Sequence, residues 1–377
     1  MSILDFIPAT EHDAIRAGSS NFDCWAALNA ALASRNFPFS RSPSVYFPSG
    51  KYLFSKTIEL HEAVRLYGDG SGQAGFGSAL LQFPAGVTGI VVDHATTGMG
   101  ADSSIIEGLT LIGTLGPTGN TTNTAGHGIS LHARAVLRDL SISLFSGNGI
   151  NIVATHPIAN ANCFRIESCV VFSNGQNGIF VQGVDANAGL ITGVSATSNR
   201  GWGIYDDSGL GNTYVGCHTA TNRLGAYRSD SPSARNMFLG CYSEEDQPLS
   251  KLTSPAMVVG GLHGAPLTGD FINMQLDPKV LKAEAKVATG ETITLDIGAY
   301  RGNDDSSILA FNSSDDKGNL HPFRLDYYPG RWHMKYGNPE NQDFLHIYNA
   351  QATTTNGYLR SVSSPQFAGG MIGFPIG

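Results

Sequence analysis

The amino-acid sequence predicts an all-β chain wound as a parallel solenoid, and three observations carry that prediction. The first is composition. There are 46 glycines in 377 residues, about 12% against a typical share of roughly 7%, while charged residues make up 14% against a usual figure of about 25%. Few charges and many glycines argue against long helices, coiled coils and solvated disorder. The second is an internal repeat: FRIESCVVFSN (164–174), LITGVSATSN (190–199), TYVGCHTATN (213–222) and MFLGCYSEED (237–246) align on Cys169, Val194, Cys217 and Cys241, at spacings of 25, 23 and 24. The third is a half-repeat that follows each: NGQNGIF, NRGWGIY and NRLGAY, with GNGIN upstream. It places Gly149, Gly178, Gly203 and Gly225 at spacings of 29, 25 and 22.

A period near 24 with short β-branched stretches and Asn/Gly turns is the pattern of a solenoid in which each coil holds two or three strands. Residues of equal phase stack on successive coils. Cys169, Val194, Cys217 and Cys241 are expected to form one internal ladder. Asn174, Asn199 and Asn222 form an asparagine ladder at a turn, where the left-handed conformation is tolerated and the amide bonds its neighbour's backbone, and Asp246 falls at the same phase. The helical signal that leucine-rich or ankyrin arrays need is absent.

The elements follow in order. FDCWAALNAALASR (22–35) is the one good helix, with Trp25, Leu28 and Leu32 at helical spacing and Asp23 placed to cap it. An amphipathic cap at a solenoid's open end covers an exposed core. VYFPSGKYLF (45–54), TIEL (57–60), VRLYGDGSG (64–72) and SSIIEGLTLIG (103–113) read as earlier, less regular coils, and 115–126 as a polar loop. Gly68-Asp69-Gly70-Ser71-Gly72 lacks the lysine and the following helix of a phosphate loop and reads as a coil turn. After about residue 265 the repeat is lost. PKVLKAEAKV (278–287) reads as a short helical connector. ETITLDIG, SSILAFN, FRLDYY-PG-RWHMKYG, DFLHIYN and GYLRSVS then alternate, with Pro329-Gly330 as a hairpin signal. The expected division is a cap over 1–40, a solenoid over 41–268 and a small antiparallel β domain over 269–377. The apolar tail SPQFAGGMIGFPIG points to a subunit interface.

The net charge of −8 excludes nucleic acid as a partner, since phosphate binding needs a basic face. No apolar run approaches the ~18 residues of a membrane span. The N-terminus lacks a basic segment followed by an apolar stretch, so no conventional signal peptide is expected; this leaves a cytoplasmic site, or a phage or extracellular one reached by another route. The five cysteines are odd in number and contain no C-x-x-C, which argues against a disulfide framework or a zinc site and for free buried thiols.

HDAIRAGSSNFDCWAALNAALA, VYFPSGKYLFSKTIEL and VRLYGDGSG together resemble the N-terminal coils of the pectate-lyase superfamily, whose right-handed parallel β-helices include polygalacturonase relatives, epimerases and phage tailspikes. The resemblance covers roughly residues 10–260. It implies the β-helix fold, a homotrimer and a polysaccharide or oligosaccharide partner. The chain departs from the polygalacturonase pattern: Gln176-Asn177 stands at the N-T-D phase, Asp206-Asp207 follows its Gly-Ile rather than preceding it, and Gly261-Leu262-His263-Gly264 is not G-H-G. The epimerase Y-G-x-D-P-H pattern is absent.

Strand alternation after each glycine puts Ile150, Ile179, Ile204 and Ala226 inward and Asn151, Phe180, Tyr205 and Tyr227 outward. The outcome is an aromatic strip beside a glycine ladder, to which Trp202 adds a face. Charges cluster at its end: Asp206 and Asp207 after Tyr205, Arg228 and Asp230 after Tyr227, and Glu244 a coil later. Carboxylates one or two coils apart span both glycosidase geometries, roughly 5–10 Å. The expected catalytic set is Asp206, Asp207 and Glu244, and the expected binding set Phe180, Trp202, Tyr205, Tyr227, Arg228 and Asp230. No cofactor is required. A lyase would use Arg200, Arg228, Arg235, Lys251, His218 or Tyr205, with Ca²⁺ on Asp206, Asp207 and Asp230 as an option. Three functions compete: cleavage of a polysaccharide by a lyase or hydrolase, glycan binding without chemistry as in a tailspike, and glycosyl transfer.

Overall fold

Short strands bounded by Gly, Asn and Ser turns wind into three parallel sheets, each coil adding one strand to each. In the computed structural model the chain divides into two units, Met1–Phe271 and Ile272–Gly377. The described residues are 1–34, 43–72, 78–94, 103–115, 126–154, 159–231, 235–244, 250–252 and 256–259, and beyond these the backbone of strands alone. The first coil comprises Ser44–Phe47, Gly50–Leu53 and Ile58–Leu60. From these, the first sheet runs through Ala256–Val259, the second to Tyr242–Ser243 and the third to Leu267–Thr268, with parallel pairing up to those strands. This is a right-handed parallel β-helix. Inside it Ile166, Ile191, Tyr214, Phe238 and Val258 stack in the first sheet, and Ile150, Ile179 and Ile204 in the third, all buried.

The two expected ladders are present. Cys169, Val194, Cys217 and Cys241 are all buried, and burial pushes the Cys169 thiol up to about 12. Cys163 differs from the other four: it is exposed, in the left-handed region at φ 62°. In the asparagine ladder the side-chain oxygens of Asn199 and Asn222 each take two donors from the coil before, and that of Asn174 takes Phe145 N. Asn199 Oδ1 accepts from Asn174 N and Nδ2 at 3.1 and 3.0 Å, and Asn222 Oδ1 accepts from Asn199 N and Nδ2 at 3.0 Å each. The amide nitrogens of Asn199 and Asn222 also donate to Val171 O and Ala196 O. The left-handed residues are not the asparagines but those just before them, Ser173, Ser198 and Thr221, at φ 55°, 56° and 55°. Asp246 lies outside the described residues.

The glycine ladder is a close-approach feature. A Cβ on Gly178 would stand 2.6 Å from Gly203 O and 2.8 Å from Asn199 Nδ2. The ladder therefore faces the asparagines inside the coil.

The N-terminal helix is Trp25–Ala33. Asp23 Oδ1 accepts from Trp25 N and from Ser55 N, both at 3.1 Å, so one carboxylate ties the helix start to the first coil. Trp25 Nε1 donates to Thr57 O at 3.0 Å, Leu28 is buried, and Trp25 and Leu32 pack against the same core. Asp69 closes the turn after Tyr67: Tyr46 Oη donates to its carboxylate, as does Ser49 N at 2.8 Å.

The second unit contains an antiparallel meander of six strands, Ser307–Ser314, Leu320–Tyr328, Arg331–Tyr336, Leu345–Tyr348, Asn356–Arg360 and Ile372–Pro375. Tyr328 pairs with Arg331 across the expected Pro-Gly hairpin. Residues 278–287, expected as a helical connector, contain the strand Leu281–Lys286 instead. Its Leu-Lys-Ala-Glu-Ala-Lys alternates with period two, and a helix this short is marginal by itself. The stretch 291–298, the loop over 116–125 and most of the apolar tail lie outside the described residues.

Replacing Asn199 by Ala removes the acceptor for two buried donors of Asn174 and the donor to Val171 O. The expected cost is about 2–4 kcal/mol in urea unfolding, and a loss below half of that lower figure would show that the ladder does not hold the coils. A thiol reagent added to native protein should titrate Cys163 rapidly and the other four cysteines only after unfolding; fast reaction of Cys169, Cys217 or Cys241 contradicts the buried ladder.

Candidate functional site

The third sheet carries the predicted strip, with its pairing shifted by one residue from the glycine alignment. Strands Ile179–Gly183, Trp202–Ser208 and Gly225–Ser229 lie side by side. Phe180 pairs with Tyr205, but Tyr205 pairs with Arg228, and Tyr227 pairs with Ile204. The offset here is 23, not the 22 that aligns Gly203 with Gly225. A slip of one residue exchanges the faces of a strand. Tyr227 is accordingly in the core, correcting its outward assignment. Its hydroxyl donates to Cys217 O at 2.8 Å and Tyr242 O at 3.0 Å, and burial holds its phenol well above the ordinary range.

Alternation also separates the two neighbouring aspartates. Asp206 points inward and is fully buried. Its Oδ1 accepts from Ser208 N at 2.8 Å, and its Oδ2 from Asn212 Nδ2 at 2.9 Å and Tyr214 Oη at 2.5 Å. A carboxylate saturated by buried donors fastens the end of one strand to the next, and no reacting group reaches it. Asp206 thus leaves the catalytic set and the cation set alike. Among the described residues no three metal-ligating side chains converge. Glu244 is also elsewhere: it follows the strand Tyr242–Ser243 of the second sheet, with Oε1 at 3.7 Å from His218 Nε2.

The residues that do assemble on the third sheet are Phe180, Trp202, Tyr205, Asp207, Arg228 and Asp230, joined by Lys251. Arg228 Nε donates to Asp230 Oδ2 at 2.6 Å, and its Nη2 makes a second contact to the same oxygen. Tyr205 Oη donates to Asp230 Oδ2 at 3.1 Å, and Lys251 Nζ stands 3.8 Å from Oδ1. The Arg228 guanidinium lies 4.5 Å from the Tyr205 ring centre and 5.6 Å from that of Trp202, and the Phe180 ring centre is 4.9 Å from that of Tyr205. Tyr205 is therefore flanked on both sides, by Phe180 and Arg228, while its hydroxyl bonds Asp230. Behind the strip, Asn177 Oδ1 accepts from Trp202 N at 2.8 Å, and Asn148 Oδ1 accepts from Asn177 Nδ2 at 3.0 Å.

This geometry drives the two outward carboxyls apart in acidity. For Asp207, burial and the negative charges of Asp230 and Asp206 raise the pKa against the opposing pull of Arg228. For Asp230, burial by itself would raise the pKa. The hydrogen bonds from Arg228 and Tyr205 and the charges of Arg228 and Lys251 outweigh it, and the pKa falls. Burial, with help from Asp230, pushes the Tyr205 phenol up to about 12. The two carboxyls are thus shifted in opposite directions, the asymmetry that acid–base chemistry draws on.

Sequence reasoning missed Lys251 as a partner of Asp230. It also missed Gln182, which pairs with Asp207 and extends the outward row. An offset of 23 carried forward from Arg228 reaches Lys251, so the correct register was the missing signal.

Three parallel sheets closed into one coil, with a carboxylate strip on one of them, define a pectate-lyase-like β-helix. The family described as Rhamnogalacturonase A/epimerase, pectate lyase-like, matches residues 17–227, and the chain belongs to that family of carbohydrate-active β-helices. Among solved structures, ORF18 of Geobacillus virus E2 is similar at 14% identity and a TM-score of 0.52, over 96% of this chain and 76% of that one. The phiAB6 tailspike, solved with three-repeated oligosaccharides of Acinetobacter baumannii surface polysaccharide, shares 11% identity over 96% and 73% of the two chains with a TM-score of 0.47. The A-module of the Azotobacter vinelandii mannuronan C-5 epimerase AlgE4 shares 15% over 72% and 76% with a TM-score of 0.45. At these identities the likeness is one of fold. Among curated proteins, none matches the chain.

The two aspartates should respond in opposite ways to the same change. Asp206→Asn breaks a buried three-donor network and should lower stability by about 2–4 kcal/mol. Asp207→Asn, on the outward face, should shift the unfolding midpoint little. Equal stability losses would contradict the assignment of their faces.

Proposed function

We propose that the third-sheet strip cleaves a glycosidic bond of a polysaccharide by acid catalysis. The observation that carries this reading is the adjacent pair Asp207 and Asp230, whose acidities are driven in opposite directions. Asp207, its pKa raised, is the proton donor to the leaving oxygen. Asp230, held ionised by Arg228, Tyr205 and Lys251, is the nucleophile. The two occupy equivalent places on neighbouring strands, since Asp206 pairs with Ser229. Parallel strands lie about 4.8 Å apart, close to the carboxyl spacing of roughly 5–5.5 Å that goes with a retaining, two-step displacement. Phe180 and Trp202 supply apolar contact for a sugar ring.

The test is reducing-end release from a panel of acidic and neutral polysaccharides, with ultraviolet absorbance for unsaturated products and proton NMR for the anomer formed first. Release with retained configuration is expected, and Asp207→Asn should lower kcat on the order of 10²–10⁴-fold. Unsaturated products would favour a lyase, tight binding without release a tailspike-like receptor, and elongated products glycosyl transfer. The pH profile follows from the pair. The rate falls as pH rises through the raised Asp207 range, where the acid is lost, and as pH falls through the lowered Asp230 range, where the nucleophile is protonated. Arg228→Gln removes a group that lowers Asp230, so the acidic limb should move to higher pH. An unmoved limb would mean that Asp230 does not control it.

We propose a homotrimer as the working form. The outer face of the first sheet supports it: Leu190, Thr213, Met237 and Met257 stand in one register row and Thr192, Val215, Leu239 and Val259 in the next, with no charge among them and all half-buried. A flat uncharged sheet face of this kind calls for a partner. Light scattering should give three times the chain mass, and Leu239→Glu should dissociate the assembly; a monomer at micromolar concentration would rule the trimer out.

A further inference from the structure

Glu244 leaves the glycan strip for the second sheet, and what it meets there is itself a reactive arrangement. Strands Ser195–Thr197, His218–Ala220 and Tyr242–Ser243 are adjacent, and Ser195 pairs with His218, which pairs with Tyr242. All three side chains face outward. Ser195 Oγ stands 3.2 Å from His218 Nδ1. On the other side of the ring, Nε2 faces Glu244 Oε1 at 3.7 Å and has no hydrogen-bond partner. The Tyr242 ring stacks on the imidazole at 5.6 Å and 20°, which fixes its plane. Glu244 is held in place through its backbone N–H, which donates to Thr219 O at 2.9 Å.

The charges assign the tautomer. A carboxylate beside Nε2 favours the proton on that nitrogen and leaves the Nδ1 lone pair aimed at the serine hydroxyl. A hydroxyl, a base within hydrogen-bond reach and a carboxylate that orients the base are the three parts of an activated serine nucleophile. Beside Ser195 on the neighbouring strand stands Val170, and beside Thr197 stands Phe172, both half-buried and outward. They give a short acyl chain an apolar surface to lie on.

We propose that Ser195, His218 and Glu244 form an acyl-transfer site that cleaves small carboxylic esters, separate from the carboxylate pair of the third sheet. Ser195 Oγ attacks the ester carbonyl carbon while its proton passes to His218 Nδ1, and Glu244 stabilises the imidazolium. The proton then goes to the departing alkoxide, which leaves as the alcohol. Water attacks the acyl-serine with His218 as base, releases the carboxylic acid and restores the hydroxyl. The backbone N–H groups of Ser195 and His218 are taken by Cys169 O and Val194 O at 2.9 and 2.8 Å. No amide of these two residues is free for the developing oxyanion, so the site favours esters with good leaving groups.

The test uses the full-length protein with a fluorophosphonate probe, peptide mass spectrometry to locate the label, and 4-nitrophenyl acetate hydrolysis. Ser195 should be the labelled residue. His218→Ala should slow labelling on the order of 10²-fold, the usual contribution of a general base, and Glu244→Gln by a smaller factor with the fold intact by circular dichroism. Ser195→Ala should abolish labelling and ester hydrolysis while leaving polysaccharide cleavage unchanged, and Asp207→Asn should leave labelling unchanged. An unlabelled Ser195, or one labelled equally fast in wild type, in both the His218→Ala and Glu244→Gln variants and in urea-unfolded protein, overturns the proposal.

Discussion

Every feature of the β-helix depends on residues of equal phase standing about 4.8 Å apart on successive coils. At that spacing a side chain is judged against its own counterpart above and below. Apolar residues satisfy the test by stacking, as Ile166, Ile191, Tyr214 and Phe238 do. A buried polar residue satisfies it only when it both gives and receives, and asparagine does so. Its oxygen takes the backbone and side-chain N–H of the coil before it while its own amide reaches a carbonyl further back. The structure uses the device at more than one corner: Asn212 N bonds Asn236 Oδ1 at 2.8 Å, and Asn177 N bonds Asn148 Oδ1 at 3.0 Å. Unpaired amides at such corners would each cost about 1–3 kcal/mol. The glycine ladder has the complementary origin, since the same corner leaves no room for a Cβ between consecutive carbonyls.

The same stacking builds the site. On an outward row, charged side chains on adjacent strands are held at separations they would not choose in solution. Asp207 and Asp230 repel across one such step, and the molecule resolves the conflict by concentrating cations on one of them. Arg228, Lys251 and the Tyr205 hydroxyl all address Asp230, so the cost of bringing two carboxylates together falls on Asp207, which is easier to protonate. The asymmetry in acidity between the two carboxyls is thus a property of the row. It follows from which neighbours the register supplies, with no loop or metal required to impose it.

Much of this was legible in the sequence because a repeat writes each rule several times. Cys169, Val194, Cys217 and Cys241 mark one inward phase, and Asn174, Asn199 and Asn222 another, each in several copies. The errors fell where a rule was written once. Gly225 looked like the partner of Gly203, yet the strand pairs it with Trp202, and that single step moved Tyr227 into the core and Arg228 onto Tyr205. Periodicity alone did not separate these registers, because both place a glycine near the turn. The face of Asp206 follows from alternation once Tyr205 is outward, but two adjacent aspartates read as one acidic cluster until the donors of Asn212 and Tyr214 are seen around the first. The helix expected over 278–287 overlooked the period-two spacing of its Lys, Ala and Glu residues. The other asparagine corners went unnoticed because Asn212 and Asn236 stand one residue before the aligned segments, while Asn148 and Asn177 fall in half-repeats that were aligned on their glycines alone.

Glu244 shows how phase and sheet together decide what a carboxylate does. In sequence it lies 14 residues past Asp230, one coil on and after a strand of a different sheet. A three-sheet coil changes face at each turn, so two residues of one coil point away from different sheets unless they lie on the same strand. Asp230 faces arginine and lysine, which hold it as an anion. Glu244 faces an imidazole with a hydroxyl on its far side. The β-helix therefore offers each sheet as a separate surface with its own residue rows, and a mutation that alters one row leaves the others in register. Independent residue rows on separate sheets are a consequence of that geometry, since the backbone bonds that hold the coils are made between coils and owe nothing to the outward side chains.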